Sequence, residues 1–396
     1  MLDIWPALPI VVQCHKSLYS QLRGILNVIA ALKFPDRVCE IDLQDIPDNL
    51  FKRVAAINVP FPVLTSLRLS SKAYFYDWQP VIRDSFLGGI TPRLRSLHLH
   101  GIPFPEPQKL LLSATDLVTL RLEDIPRIGY ISPEEVVTCL STLTKLEELA
   151  LGFRISHLPP FHFLQMSQSL PPVPSTVFPA LTSFQFRGNC WYLEVLAAGI
   201  TLPLLNNLDV TFFDERIESS PPLREFFNRI ETLDVYHRAD ISFHNDFVDM
   251  TLSRQGLADC GKIKFGIPCS TLDLQLLCLM GFCSFSLPSL PTLELLYIHA
   301  RGLFPEDYRQ FSTEKLRWLG LLRLFKSVKK LYLSPKPALR VARSLKGLSG
   351  ERATVVLPAL QHITFLRHEP PGATLKAIRK FVATLQLSSR SVSVHH

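Results

Sequence analysis

His98 and His100, with one residue between them, are the pair in this chain whose types and spacing come nearest to metal chemistry. On an extended strand, residues two apart point to the same face, so both imidazoles would project together. A third ligand from a neighbouring strand would have to come from Ser66, Arg68, Thr119, Arg121 or Glu123, and only Glu123 carries a suitable donor. So few converging ligands lead to no metal being assigned from sequence. The terminal His395-His396 pair is too short to add to that. Acid–base and nucleophilic catalysis fare no better: the chain has no G-x-S-x-G, H-E-x-x-H, P-loop or G-x-G-x-x-G pattern. No catalytic residue and no cofactor is assigned, and a non-enzymatic protein is expected.

The residues that would have to position any site are more regular. Leu94-x-x-Leu97-x-Leu99 returns 23 residues later as Leu117-x-x-Leu120-x-Leu122. In such a frame the first, fourth and sixth residues of a short strand point into a shared core, which is the signature of leucine-rich repeats. Twelve copies can be read, anchored at Val38, Leu64, Leu94, Leu117, Leu146, Leu181, Leu205, Ile230, Cys260, Leu293, Val328 and Leu360. Anchors lie 23 to 35 residues apart, against about 20–29 for regular repeats of this class. A weaker thirteenth frame opens the chain at Trp5, Leu8 and Ile10, with Pro9 marking a frayed edge.

The linkers carry helical periodicity. Lys16 to Lys33 places Leu18, Leu22, Ile25, Leu26, Ile29 and Leu32 on one stripe. Ser132-Pro133-Glu134-Glu135 predicts a helix start, with Ser132 as N-cap and Glu135 as its capping-box partner. Cys190 to Ile200, Tyr308 to Phe325 and Leu375 to Leu387 read as helices too. Prolines just after strands (Pro103, Pro126, Pro268, Pro335) turn the chain away. The expected fold class is therefore α/β: one curved solenoid of about twelve irregular repeats, parallel strands on the concave face and helices and loops on the convex face. Its expected divisions are an N-terminal apolar segment and first helix over 1–37, the repeats over 38–388 with a long loop at 155–177, and a tail over 389–396.

Composition narrows the setting. The most apolar stretch, Leu272 to Leu290, is broken by Asp273, Gln275, Gly281 and Pro288, so no membrane contact is expected. Eight cysteines without a C-x-x-C pair point to reduced, mostly buried thiols and an intracellular protein, in cytoplasm or nucleus. The net charge of +7 hides a split: residues 260–396 hold 20 Lys/Arg against seven Asp/Glu, a net of +13, and the remainder is at −6. An acidic protein partner follows from that asymmetry. Nucleic acid is the less favoured alternative, because the basic residues are interspersed with core leucines.

The third, fifth and seventh positions of each frame should line the concave face. Towards the C-terminus these are Thr232, Asp234 and Tyr236; Lys262 and Lys264; Leu295, Tyr297 and His299; Lys330, Tyr332 and Ser334; His362, Thr364 and Leu366. Exposed tyrosine and leucine beside charged residues favour protein interfaces. The candidate partner-binding set is Lys262, Lys264, Leu295, Tyr297, His299, Lys330, Tyr332 and His362.

Six phrases in order carry a family resemblance: WPALPIVV (5–12), KFPDRVCEIDL (33–43), PRLRSLHLHGIPFP (92–105), the stretch from Asp116 to Leu151, that from Phe178 to Phe213, and VLPALQHITF (356–365). Together they resemble the leucine-rich region of the F-box-like protein family of mushroom-forming fungi, from about Trp5 to about Phe381. In that family an N-terminal F-box binds the small adaptor of cullin-type ubiquitin ligases, and the repeats are held to select substrates. The resemblance thus implies a substrate-receptor role. It implies the cullin-ligase adaptor as partner only where an F-box lies upstream, since no Leu-Pro-x-Glu-like pattern precedes the repeats here. The apolar opening of Ile4, Trp5, Leu8, Ile10, Val11 and Val12 reads as a repeat end without its polar cap.

Overall fold

In the computed structural model, residues 8–15, 22–71, 81–104, 108–154, 176–213, 221–230, 236–254, 261–287, 290–301, 311–366, 372–387 and 390–395 are described. The chain is mixed α/β and its sheet pairing is mainly parallel. It divides into two compact units, Met1–Leu205 and Asn206–His396.

In the first unit, seven described strands follow one another in chain order: β1 (Ile10–Cys14), β2 (Val38–Leu43), β3 (Ser66–Ser70), β4 (Ser96–His100), β5 (Thr119–Ile125), β6 (Glu148–Phe153) and, after the two-residue β7 (Thr176–Val177), β8 (Ser183–Gly188). Every pair among the seven is parallel. β7 pairs separately with β9 (Ile200–Thr201). The helices are α1 (Leu22–Ala31), α2 (Asp48–Ala55), α3 (Gln108–Ser113), α4 (Pro133–Leu140) and α5 (Cys190–Gly199). Consecutive helices α3, α4 and α5 pack side by side.

The frame explains the strands directly. Leu64, Leu94, Leu117, Leu146 and Leu181 are fully buried, as are the fourth and sixth positions from Leu67 and Leu69 to Phe184 and Phe186. In β3, β4 and β8 the alternate residues stay half-buried or exposed, giving one core face and one outward face, whereas in β6 Ala150 and Gly152 are buried as well. The structure also adds a position that the L-x-x-L-x-L frame does not contain. The anchor N–H of Leu64, Leu94, Leu117, Leu146 and Leu181 donates to the carbonyl three residues back, on Phe61, Thr91, Ala114, Leu143 and Phe178. Those five residues are buried too. The repeat therefore begins with a tight turn whose first side chain belongs to the core.

Other expectations hold locally. Ser132 caps α4: its Oγ accepts from the Glu135 N–H at 3.2 Å, while a Glu135 carboxylate oxygen accepts from the Ser132 N–H at 2.9 Å. Of the frame at Trp5, Leu8 and Ile10, Trp5 lies outside the described residues and the other two are not buried. β1 starts after Pro9, its buried residues are Val12 and Cys14, and Leu8 is exposed. Proline lacks the N–H that a ladder needs, so the strand begins beyond it. The expected long loop lies outside the described residues except at β7, where Thr176 and Val177 form a short strand.

The second unit departs from a simple repeat. Its strands are β10 (Asn207–Phe212), β11 (Arg238–Phe243), β12 (Phe247–Ser253), β13 (Lys262–Pro268), β14 (Leu295–Ala300), β15 (Lys330–Leu333), β16 (His362–Phe365) and β17 (Ser393–His395), in the spatial order β10-β13-β12-β11-β14-β15-β16-β17. β12 is antiparallel to both β11 and β13, and the other pairs are parallel. The expectation of an uninterrupted parallel array is corrected here. A parallel crossover needs about a dozen residues or more, whereas only residues 244–246 join β11 to β12 and residues 254–261 join β12 to β13. The chain must fold back as hairpins. Tyr236, expected on the outward face, is fully buried instead, because its strand begins only at Arg238. The other two outward residues of that frame, Thr232 and Asp234, and the Cys260 anchor lie outside the described residues. β17 falls within the stretch assigned to the tail.

Helices α6 (Pro221–Arg229), α7 (Leu272–Ser286), α8 (Phe311–Leu324), α9 (Pro335–Leu345), α10 (Glu351–Thr354) and α11 (Gly372–Gln386) complete this unit. α6, α7, α8 and α9 pack in sequence, and α11 packs on α9. The polar residues that interrupt the apolar stretch have structural work. Gln275, wholly buried, donates from Nε2 to the carbonyls of His244 and Cys269, tying α7 to the hairpin. Asp273 pairs with Arg317 of α8 at 2.6 Å. Among the described residues, no helix is long and apolar enough to cross a membrane.

Candidate functional site

The parallel register of β11, β14, β15 and β16 lines outward residues into rows. Asp240, Tyr297, Tyr332 and Thr364 share one row, and Arg238, Leu295, Lys330 and His362 share the next. Parallel strands lie about 4.8 Å apart, close to the spacing of stacked rings. Tyr297 and Tyr332 use it: their rings are 4.1 Å apart and 2° from parallel. The Arg238 guanidinium lies 3.9 Å from the centroid of Tyr297. Asp240 holds that guanidinium through Nε at 2.7 Å and Nη2 at 2.9 Å. His299 completes the group, its ring 12° from parallel to that of Tyr297 at a centroid distance of 6.2 Å and its Nε2 3.8 Å from Asp240. At the edge, the Ser393 hydroxyl bridges His362 Nδ1 at 2.6 Å and His395 Nε2 at 2.7 Å.

Electrostatics fits this arrangement. Burial, and next the hydrogen bond with Tyr332, push the Tyr297 phenol above its ordinary range. Burial alone would raise the Asp240 carboxyl, but the neighbouring His299 imidazole and the Arg238 guanidinium outweigh it and hold the group below the usual carboxylate range. The two stacked rings are flanked by the Arg238 guanidinium and by the exposed Lys330.

Of the residues proposed from sequence, Leu295, Tyr297, His299, Lys330, Tyr332 and His362 are brought together on β14–β16. Lys262 and Lys264 are not. They lie on β13, with β12 and β11 between them and β14, which places them about 14 Å away at normal strand spacing. Lys264 faces Asp209 of β10 at 4.0 Å instead. Sequence reasoning missed Arg238 and Asp240, because the frame placed the strand at Ile230. The three-residue turn 244–246 between two strand-like runs is the signal that would have found them.

In the first unit, β4 and β5 place His98 opposite Arg121 and His100 opposite Glu123. One carboxylate oxygen of Glu123 lies 2.9 Å from His98 Nε2 and 3.8 Å from His100 Nδ1. The other lies 3.6 Å from Arg121, which also pairs with Glu148 of β6. The imidazoles of His100, then His98, hold the Glu123 carboxyl far below the usual range.

These features define a mixed α/β repeat protein with two polar constellations on outward strand faces. No family model matches the chain, and no curated protein matches it. Among solved structures it is similar to the leucine-rich repeat-containing protein LegL7 from Legionella pneumophila, with 15% sequence identity, 86% of this chain and 97% of that chain covered, and a TM-score of 0.32. A superposition that loose does not bear on function.

Proposed function

We propose that this chain is a non-enzymatic leucine-rich-repeat interaction scaffold whose protein partner docks on the outward face of β11 and β14–β16. The stacked Tyr297–Tyr332 pair, with Arg238 on the tyrosine face, carries the reading. Tyrosine and arginine dominate binding hot spots, and rings already held by neighbours lose little freedom when a partner arrives. Lys330 on this face and the net +13 of residues 260–396 favour an acidic protein segment. Through the sequence resemblance, the reading extends to a substrate receptor of cullin-type ubiquitin ligases in the cytoplasm or nucleus, with the adaptor engaged by an upstream F-box.

Duplex binding by the basic third has less support. Lys329 and Arg340 are engaged by Glu294 and Glu314, each at 2.6 Å, which removes two cations from a phosphate-binding patch. The test is to purify the protein tagged at its native locus and record its intact mass and co-purifying proteins. Partners that are retained by the native protein and depleted by Y297A/Y332A support the docking face. Undiminished recovery contradicts it. A longer product that brings the cullin adaptor supports the ligase extension, and a product starting at Met1 without the adaptor removes it.

A further inference from the structure

We propose that His98, His100 and Glu123 form a zinc-class metal site on the outward face of β4 and β5, a role that the interaction scaffold does not require. One donor atom from each of the three lies within 4.8 Å of the other two. Tetrahedral zinc with ligands at about 2.0–2.1 Å sets its donors about 3.4 Å apart. The observed separations of 2.9 Å and 3.8 Å from the Glu123 oxygen bracket that value. All three side chains stand on strands in register, so closing the site needs side-chain adjustment and no backbone movement.

The two carboxylate oxygens of Glu123 have divided tasks. One faces Arg121, which Glu148 holds from β6, and the other faces both imidazoles. A carboxylate that meets a cation through one oxygen and can coordinate through the other has the kind of outer support that orients metal ligands. Among the described residues Arg121 pairs with the carboxylate, and its charge is countered by Glu148. From β3, Arg68 lies opposite His98 and Ser70 opposite His100. Arg68 is exposed and Ser70 carries no charge.

Imidazole with carboxylate suits zinc, nickel, copper or cobalt, and does not suit calcium or magnesium, which prefer oxygen donors. Three protein ligands leave a fourth position for water on the outward face. The His100 side chain is 43% exposed, against 15% for His98, so that position opens on the His100 side.

The test uses the whole chain, stripped with chelator and titrated with zinc chloride against a competing metallochromic dye. One equivalent should bind, and H100A and E123Q should each weaken binding about tenfold or more, since even outer-sphere changes cost about 10–100-fold. Both positions are partly exposed, and unchanged circular dichroism shows that the variants fold. Cobalt substitution separates this site from the cysteines: weak visible bands without a thiolate charge-transfer band support it. No stoichiometric binding, equal binding by both variants, or a thiolate band would overturn it.

Discussion

Replacing Tyr297 with alanine removes two contacts at once: the ring stacked on Tyr332 at 4.1 Å and the platform beneath Arg238 at 3.9 Å. An aromatic pair contributes about 0.5–1.5 kcal/mol beyond its buried area. A cation over a ring at an exposed site contributes about 0.5–1 kcal/mol, and the Arg238 side chain is 42% exposed. Y297A should therefore cost about 1–2.5 kcal/mol before any loss of buried ring area, Y332A only the stacking part, and R238Q the cation part together with its ion pair to Asp240. Urea denaturation of the three single variants and of Y297A/Y332A measures this as shifts in midpoint at unchanged slope. The cycle should give a Tyr297–Tyr332 coupling of about 0.5–1.5 kcal/mol that persists in high salt, while the Arg238 contribution shrinks as salt screens it. Additive single variants, with no coupling, would mean that the rings are not stacked in solution, and the pre-organised docking face would fall with them.

Three further outcomes follow from groups away from that face. Y192F should cost about 1–2 kcal/mol, because the Tyr192 hydroxyl, fully buried, donates to the Ile131 carbonyl at 2.9 Å and phenylalanine keeps the ring packing on Phe153 and Phe186; a midpoint equal to the native one would refute this. A Cβ at Gly129 would meet the Pro103 Cα at 2.7 Å and the Phe104 nitrogen at 2.9 Å, so G129A must displace backbone and should cost about 1–3 kcal/mol, read from the same denaturation curves. Burial pushes the Tyr236 phenol up to about 12, whereas an unfolded tyrosine titrates near 10. The unfolded chain then loses that proton first, so stability should fall between about pH 10 and 12, and Y236F should flatten that limb; an identical alkaline limb would show that Tyr236 is not the group responsible.

Much of the fold was legible because the repeat frame encodes which residues must leave water. Leu64, Leu67 and Leu69, and their counterparts up to Phe186, are buried where the frame puts them. What the frame could not encode is the turn before each anchor. Phe61, Thr91, Ala114, Leu143 and Phe178 differ in size and polarity, and share only a carbonyl that accepts from the anchor N–H. The hairpins of β11–β13 escaped for a related reason. Ile230 and Cys260 fit the periodic pattern, but strand direction is set by connection length, and 244–246 is too short for a crossover. That one reversal moved Lys262 and Lys264 out of the candidate face and brought Arg238 and Asp240 into it. Six of the eight candidate residues lie together because β14, β15 and β16 keep the parallel register. Glu123 was recognised as the one suitable third ligand beside His98 and His100, but its approach to 2.9 Å depends on side-chain torsions that no periodicity records.

Hydroxyl-radical footprinting of the purified protein, free and with its co-purified partner, tests the docking face most directly. The account predicts that Tyr297 and Tyr332 lose reactivity when the partner is bound, while tyrosines elsewhere keep theirs. Protection confined to another part of the chain, with both tyrosines as reactive as in the free protein, would contradict it.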